Sequence, residues 1–135
     1  MTEVNPLSTQ DLAAAIGPVS YAGKPVPVHG TIPDRVSAPA IVVDYGEPWI
    51  DNAEGYPHGV YVVNLAVRVL AGTGLTSASY ARVVKLVETV IARLQDDDTW
   101  QVGTVGGPFP LSPREGVTYL AVDVLVTALA QITED

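Results

Sequence analysis

Two histidines, a run of three aspartates and a glycine-punctuated turn are the groups in this sequence from which a catalytic, metal or phosphate site could be made. His29 and His58 each sit in a proline- or glycine-rich segment. A general base or a metal ligand needs an imidazole held beside a carboxylate or a second ligand. Nothing in the spacing predicts that; His58, shortly after Glu54, is the nearest candidate, and a surface or turn histidine is the simpler reading. Gly72-Thr-Gly74 lies between an alternating apolar run and a helical one, where a phosphate loop would lie. Ser77 takes the place of the third glycine of a dinucleotide fingerprint, and the Gly-Lys-Ser/Thr ending of a P-loop is missing, so the segment reads as a turn and a helix start. Asp96-Asp97-Asp98 lacks both the alternating spacing and the closing glutamate of a calcium loop. A solvated helix end accounts for it, although acids are electrostatically unfavourable there. No serine sits in a nucleophile elbow. The expectation is no catalytic, cofactor-binding or metal-binding residue.

The residues that point outward are of another kind. Trp49 and Tyr56 stand among Glu47, Asp51 and Glu54, and Phe109 stands between two prolines. Aromatic side chains on such segments are typical anchors of protein interfaces, or else fold back over the edge of a sheet. Arg82, Lys85 and Arg93 form a basic set on the long helix. In a head-to-tail assembly the acidic segment of one copy could meet the basic helix face of the next. Two solvated patches that never meet are the alternative, because exposed ion pairs contribute little. Asp123, alone in an apolar run, marks a wet sheet face, pairs with Arg68 across strands, or lines a channel.

The elements that must position these groups can be read from periodicity. Tyr61, Val63, Leu65, Val67 and Val69 alternate along one face of a strand, while Asn64 and Arg68 interrupt the other. After Thr76 or Ser77 as a cap, Tyr80, Val83, Val84, Val87, Val90, Ile91 and Leu94 recur at helical steps, leaving Arg82, Lys85 and Arg93 off the stripe. Ser8 caps a short helix that Gly17-Pro18 ends. The proline-rich 18–39 segment reads as an edge or surface arm, Ala38–Tyr45 as a strand and 46–59 as a long loop. Thr99–Val105 is a short strand, Gly106–Pro113 a loop, and Val117–Ala128 a closing strand with Leu120, Val122, Val124 and Val126 on its dry face. The tail from Thr133 is expected to fray. The order predicts an α+β fold: an antiparallel or mixed sheet of four to five strands with one long and one short helix on one face.

Composition narrows the function classes. A chain of 135 residues can bury an ordinary core as one domain. With no cysteine, disulfides, zinc–thiolate sites and cysteine nucleophiles are excluded, which suits a reducing compartment. The first residues lack the basic start and apolar run of a signal peptide, and the apolar 117–132 segment alternates, contains Asp123 and is too short to span a bilayer. A soluble protein without membrane partners is expected. Seven basic and 15 acidic residues give a formal charge of −8, which repels a phosphate backbone and argues against nucleic-acid binding. An apolar content of 47% is high for so acidic a chain; a valine- and alanine-rich core, or apolar surface buried between subunits, would explain it.

This layout resembles the tail terminator proteins of long-tailed siphophages. The likeness rests on the helix from Ser8, the strand Pro39-Ala-Ile-Val-Val43 after its proline-rich lead-in, the long strand Tyr61–Ala71, the helix Thr76–Leu94 and the closing strands to Ala128. It is a pattern of elements and carries no residue motif. The resemblance implies a structural virion protein and not an enzyme: a hexameric ring that caps the tail tube, ends its polymerisation and meets the head-completion or stopper protein. It implies homo-oligomers, contact with the major tail tube protein, DNA passing through the ring without specific binding, and a place at the head–tail junction of the virion after assembly in the host cytoplasm. A head–tail stopper is the neighbouring expectation, and a small ligand-binding or enzymatic α+β module the expectation from another class.

Overall fold

The computed structural model describes residues 5–33 and 36–132, so the expected frayed tail from Thr133 lies outside the described residues. Helix α1 spans Thr9–Ile16, and the Ser8 hydroxyl accepts the Asp11 backbone N–H at 3.1 Å. Gly17, at φ 73°, ends it in a conformation that favours glycine. Strands β1 (Val19–Tyr21) and β2 (Lys24–Val26) then form a small hairpin inside the proline-rich segment. Its turn residues Ala22 (φ 53°) and Gly23 (φ 79°) both have positive φ, the backbone that matches the twist of two antiparallel strands.

The main sheet is built from β3 (Val28–His29), β4 (Ala40–Asn52), β5 (Val60–Thr73), β6 (Gln101–Val105), β7 (Phe109–Arg114) and β8 (Val117–Gln131), with helix α2 (Ser77–Gln95) between β5 and β6. The order is β3-β4-β5-β8-β6, with β7 also paired to β8. Only β3 and β4 run parallel. The fold is α+β with a mixed sheet, as the pattern predicts, but it has six strands in place of four or five. One addition is the two-residue β3. The other is β7, expected as loop because of Pro108, Pro110 and Pro113. Strands β6 and β7 follow one another along one side of β8, broken at Gly106, whose N–H reaches the Asp123 carbonyl at 3.1 Å. A proline on such an outer strand removes only a donor that no neighbouring strand needs.

The helices share one face of the sheet. Val63, Leu65, Val67 and Val69 of β5 are fully buried there, with Ile41 and Val43 of β4 and Leu120 and Val124 of β8. Leu12 and Ile16 of α1 and Val83, Leu86, Val90 and Leu94 of α2 close the core over them. The α2 stripe is rotated from the expected one. Leu86 is fully buried, whereas Tyr80 and Val84 are exposed. Apolar side chains cover one broad side of this helix, so periodicity fits two neighbouring stripes within it and packing selects one. On the opposite, helix-free face, Leu70, Tyr119 and Ala121 form a second small core with Val36, Ala38, Phe109 and Leu111, and the Tyr119 hydroxyl donates to the Val36 carbonyl at 3.1 Å. Among the described residues no helix is long and apolar enough to cross a membrane.

Candidate assembly interface

The segment expected as a loop over 46–59 is strand up to Asn52 and again from Val60, leaving 53–59 as the connection. Glu47, Trp49 and Asp51 therefore stand on a strand, and Glu54 and Tyr56 on the short tip. Tyr45 pairs with Leu65 and Ile50 with Val63, so Gly46–Trp49 bulge opposite Asn64 alone. Two features hold the bulge. The Asn64 side-chain amide donates to the Pro48 carbonyl at 2.9 Å. Gly46 presses so closely that a Cβ there would lie 2.7 Å from the Asn64 carbonyl oxygen. A bulge bends its strand and re-aims side chains. Here Tyr45 and Trp49 meet edge to face with ring centroids 4.8 Å apart.

From Asp44 to Val62 no residue is buried. The hairpin carries three large aromatic groups in the open: Tyr45 (53% exposed), Trp49 (42%) and Tyr56 (54%). Glu47, Asp51 and Glu54 are exposed among them. Tyr45 was missed at the sequence level because it ends an apolar strand and reads as a core residue.

The basic residues on α2 make different contacts. Arg82 donates from Nη1 to the Ala71 carbonyl at 3.0 Å and lies over the Tyr21 ring. Arg93 donates from Nη1 to the Ile16 carbonyl at 2.8 Å, tying α2 to the end of α1 while staying exposed. Lys85 is simply exposed. Phe109 is half-buried in the second small core, with the Arg68 guanidinium 5.5 Å from its ring centre.

Arg68 and Asp123 are register partners on β5 and β8, as the cross-strand reading predicts. The pair is bidentate, with Nε to Oδ1 at 2.7 Å and Nη2 to Oδ2 at 3.0 Å. The hydrogen bond to Asp123 raises the Arg68 pKa above its ordinary value; partial burial opposes this, and the charges of Asp123 and Asp44 add to it. A cavity of about 220 Å³ lies beside the pair, walled by Val36, Val42, Leu70 and Leu111, with Asp44 and Arg68 as its charged groups.

The sequence matches no protein-family model and no curated protein.

His29 is a half-buried residue of β3, and His58 is exposed in the connecting turn. The Asp97 carboxylate accepts the Thr99 backbone N–H at 2.9 Å just beyond α2. Gly74, at φ 80°, makes the turn before the helix, and the Thr76 hydroxyl caps α2 by accepting the Ser79 N–H at 3.2 Å. Among the described residues no three histidine or acidic side chains group as metal ligands would.

Proposed function

We propose that this protein is a structural subunit of a phage tail, a tail terminator that closes into a ring, caps the tail tube, ends its growth and offers a surface to the head-completion or stopper protein. The observation that carries the reading is the hairpin from Asp44 to Val62, which buries nothing and displays Tyr45, Trp49 and Tyr56. Large aromatic side chains exposed to solvent on one hairpin are groups that a partner surface buries. A subunit that works by shape needs such anchors.

Charge supports the passage of DNA. Of the described basic residues, Arg68 is matched by Asp123. Asp44, Glu47, Asp51 and Glu54 lie together on the outward part of β4 and its turn, and a ring of subunits at −8 each repels a phosphate backbone. DNA can then slide through the ring without adhering to it.

The test is direct. Purified tail tubes mixed with the protein, viewed by negative-stain electron microscopy, should show an annulus on one end and no further elongation when tube protein is added. Tubes that keep growing past the protein would overturn the reading. The cavity beside Arg68 and Asp44 favours a second reading, a small ligand-binding module. A metabolite that co-purifies with the protein and is lost on Arg68→Ala substitution would support that reading instead.

A further inference from the structure

Besides the hairpin, the molecule has a second uncovered apolar feature. Between α1 and the β1–β2 hairpin lies a shallow groove of about 480 Å³, lined by Ala13, Ala14, Gly17, Pro25, Val26 and Val28. Its lining carries no charge, but its borders do. Lys24, exposed, directly precedes Pro25. Arg93 is exposed at the other border, its Nη1 bonded to the Ile16 carbonyl and lying against Gly17. An apolar trough bordered by two cations is the complement of the Asp44–Val62 hairpin, on which exposed Trp49, packed edge to face on Tyr45, lies between Glu47 and Asp51 in sequence.

We infer that the Trp49–Tyr45 knob of one copy seats in the α1/β1–β2 groove of a second copy, with Glu47 and Asp51 facing Lys24 and Arg93. The inference rests on the ring reading above and gives that ring its seam. Knob and groove are different patches of one chain, so the contact is head-to-tail: every copy uses both, and a step rotation that divides a full turn closes a ring. This seam is an alternative to contact between the acidic segment and the α2 face, where Lys85 is exposed but Arg82 is folded inward onto Ala71 and Tyr21. The aromatic pair supplies most of the affinity, and the exposed charges mainly set orientation and partner choice.

The experiment replaces Trp49 with photoreactive benzoylphenylalanine, which keeps an aromatic group of similar bulk, and irradiates an equal mixture of light and nitrogen-15-labelled protein. Oligomer mass is read in parallel by native mass spectrometry. The expected result is a cross-link between light and heavy chains that maps to residues 13–28. Oligomers of the expected mass whose cross-links map elsewhere, or form only on added tube protein, overturn the seam and leave the ring reading standing. Protein that remains monomeric at every concentration, with and without tube protein, overturns both. As an independent check, Lys24→Glu should weaken self-association roughly tenfold or more, and adding Glu47→Lys should restore it in part. Equal association of the single variant and the native protein would also contradict the seam.

Discussion

The strands β4 and β5 each have two halves with opposite fates. Over Ala40–Val43 and Val63–Ala71 the helix-facing residues are all fully buried and every other residue there is at least partly so; over Asp44–Val62 no residue is buried. The exposed half is the more polar, with Asp44, Glu47, Asp51 and Glu54, yet it also carries Tyr45, Trp49, Ile50, Val60, Tyr61 and Val62. Cover separates these apolar residues from the buried ones. The side chains of α1 and α2 that form the core meet the first half, and the second half is left with an apolar surface and a bulge that turns two aromatic rings outward. One half makes the chain fold; the other is the surface on which the proposed assembly rests.

Substitutions can break or sharpen this contrast. Leu65→Ala removes a fully buried side chain from the covered half and should cost about 2–5 kcal/mol in denaturant unfolding. Gly46→Ala tests the boundary. Its new Cβ has no room against the Asn64 backbone, so the bulge must shift, at about 1–3 kcal/mol, with a changed near-ultraviolet signal from Trp49. The Arg68–Asp123 pair belongs to the covered half's helix-free face. With side chains 41% and 32% exposed, a double-mutant cycle should give a coupling below about 1 kcal/mol. The raised Arg68 pKa stabilises fully at any pH below the unfolded value and is lost only as pH climbs through the folded one. Chemical denaturation across neutral and mildly alkaline pH should therefore show no loss of stability from Arg68. The smallest change in subunit stability belongs to Trp49→Ala, within about 0.5 kcal/mol, together with loss of the oligomer by sedimentation. Reversing Glu47, Asp51 and Glu54 to lysine should likewise leave the fold intact and disrupt the oligomer.

Much of the covered half was legible in the sequence, for identifiable reasons. Strict alternation from Tyr61 to Val69 and from Leu120 to Val126 fixed which faces are dry, and it placed Arg68 and Asp123 on the same face, where they pair. Ser8 and Thr76 were readable as caps because their hydroxyls precede apolar periodic runs. Two of the strand misreadings share a cause: proline and glycine read locally as strand breakers. Gly46 and Pro48 instead make a bulge inside a continuing strand, and Pro110 and Pro113 sit on an outer strand. The β1–β2 hairpin was hidden because its turn is Ala22-Gly23, and alanine rarely takes positive φ. The candidate interface suffered most. Its aromatic and acidic residues were visible, but Tyr45 looked like core, and the inward commitment of Arg82 depends on contacts with Ala71 and Tyr21 that no local pattern encodes.

The mass of the intact protein in native mass spectrometry, over a rising concentration series, tests the central claim most directly. The account predicts a single closed oligomer, six copies by the likeness to tail terminators, that Trp49→Ala dissociates without unfolding the subunit. A monomer throughout the series, still monomeric beside tail tubes, would contradict it.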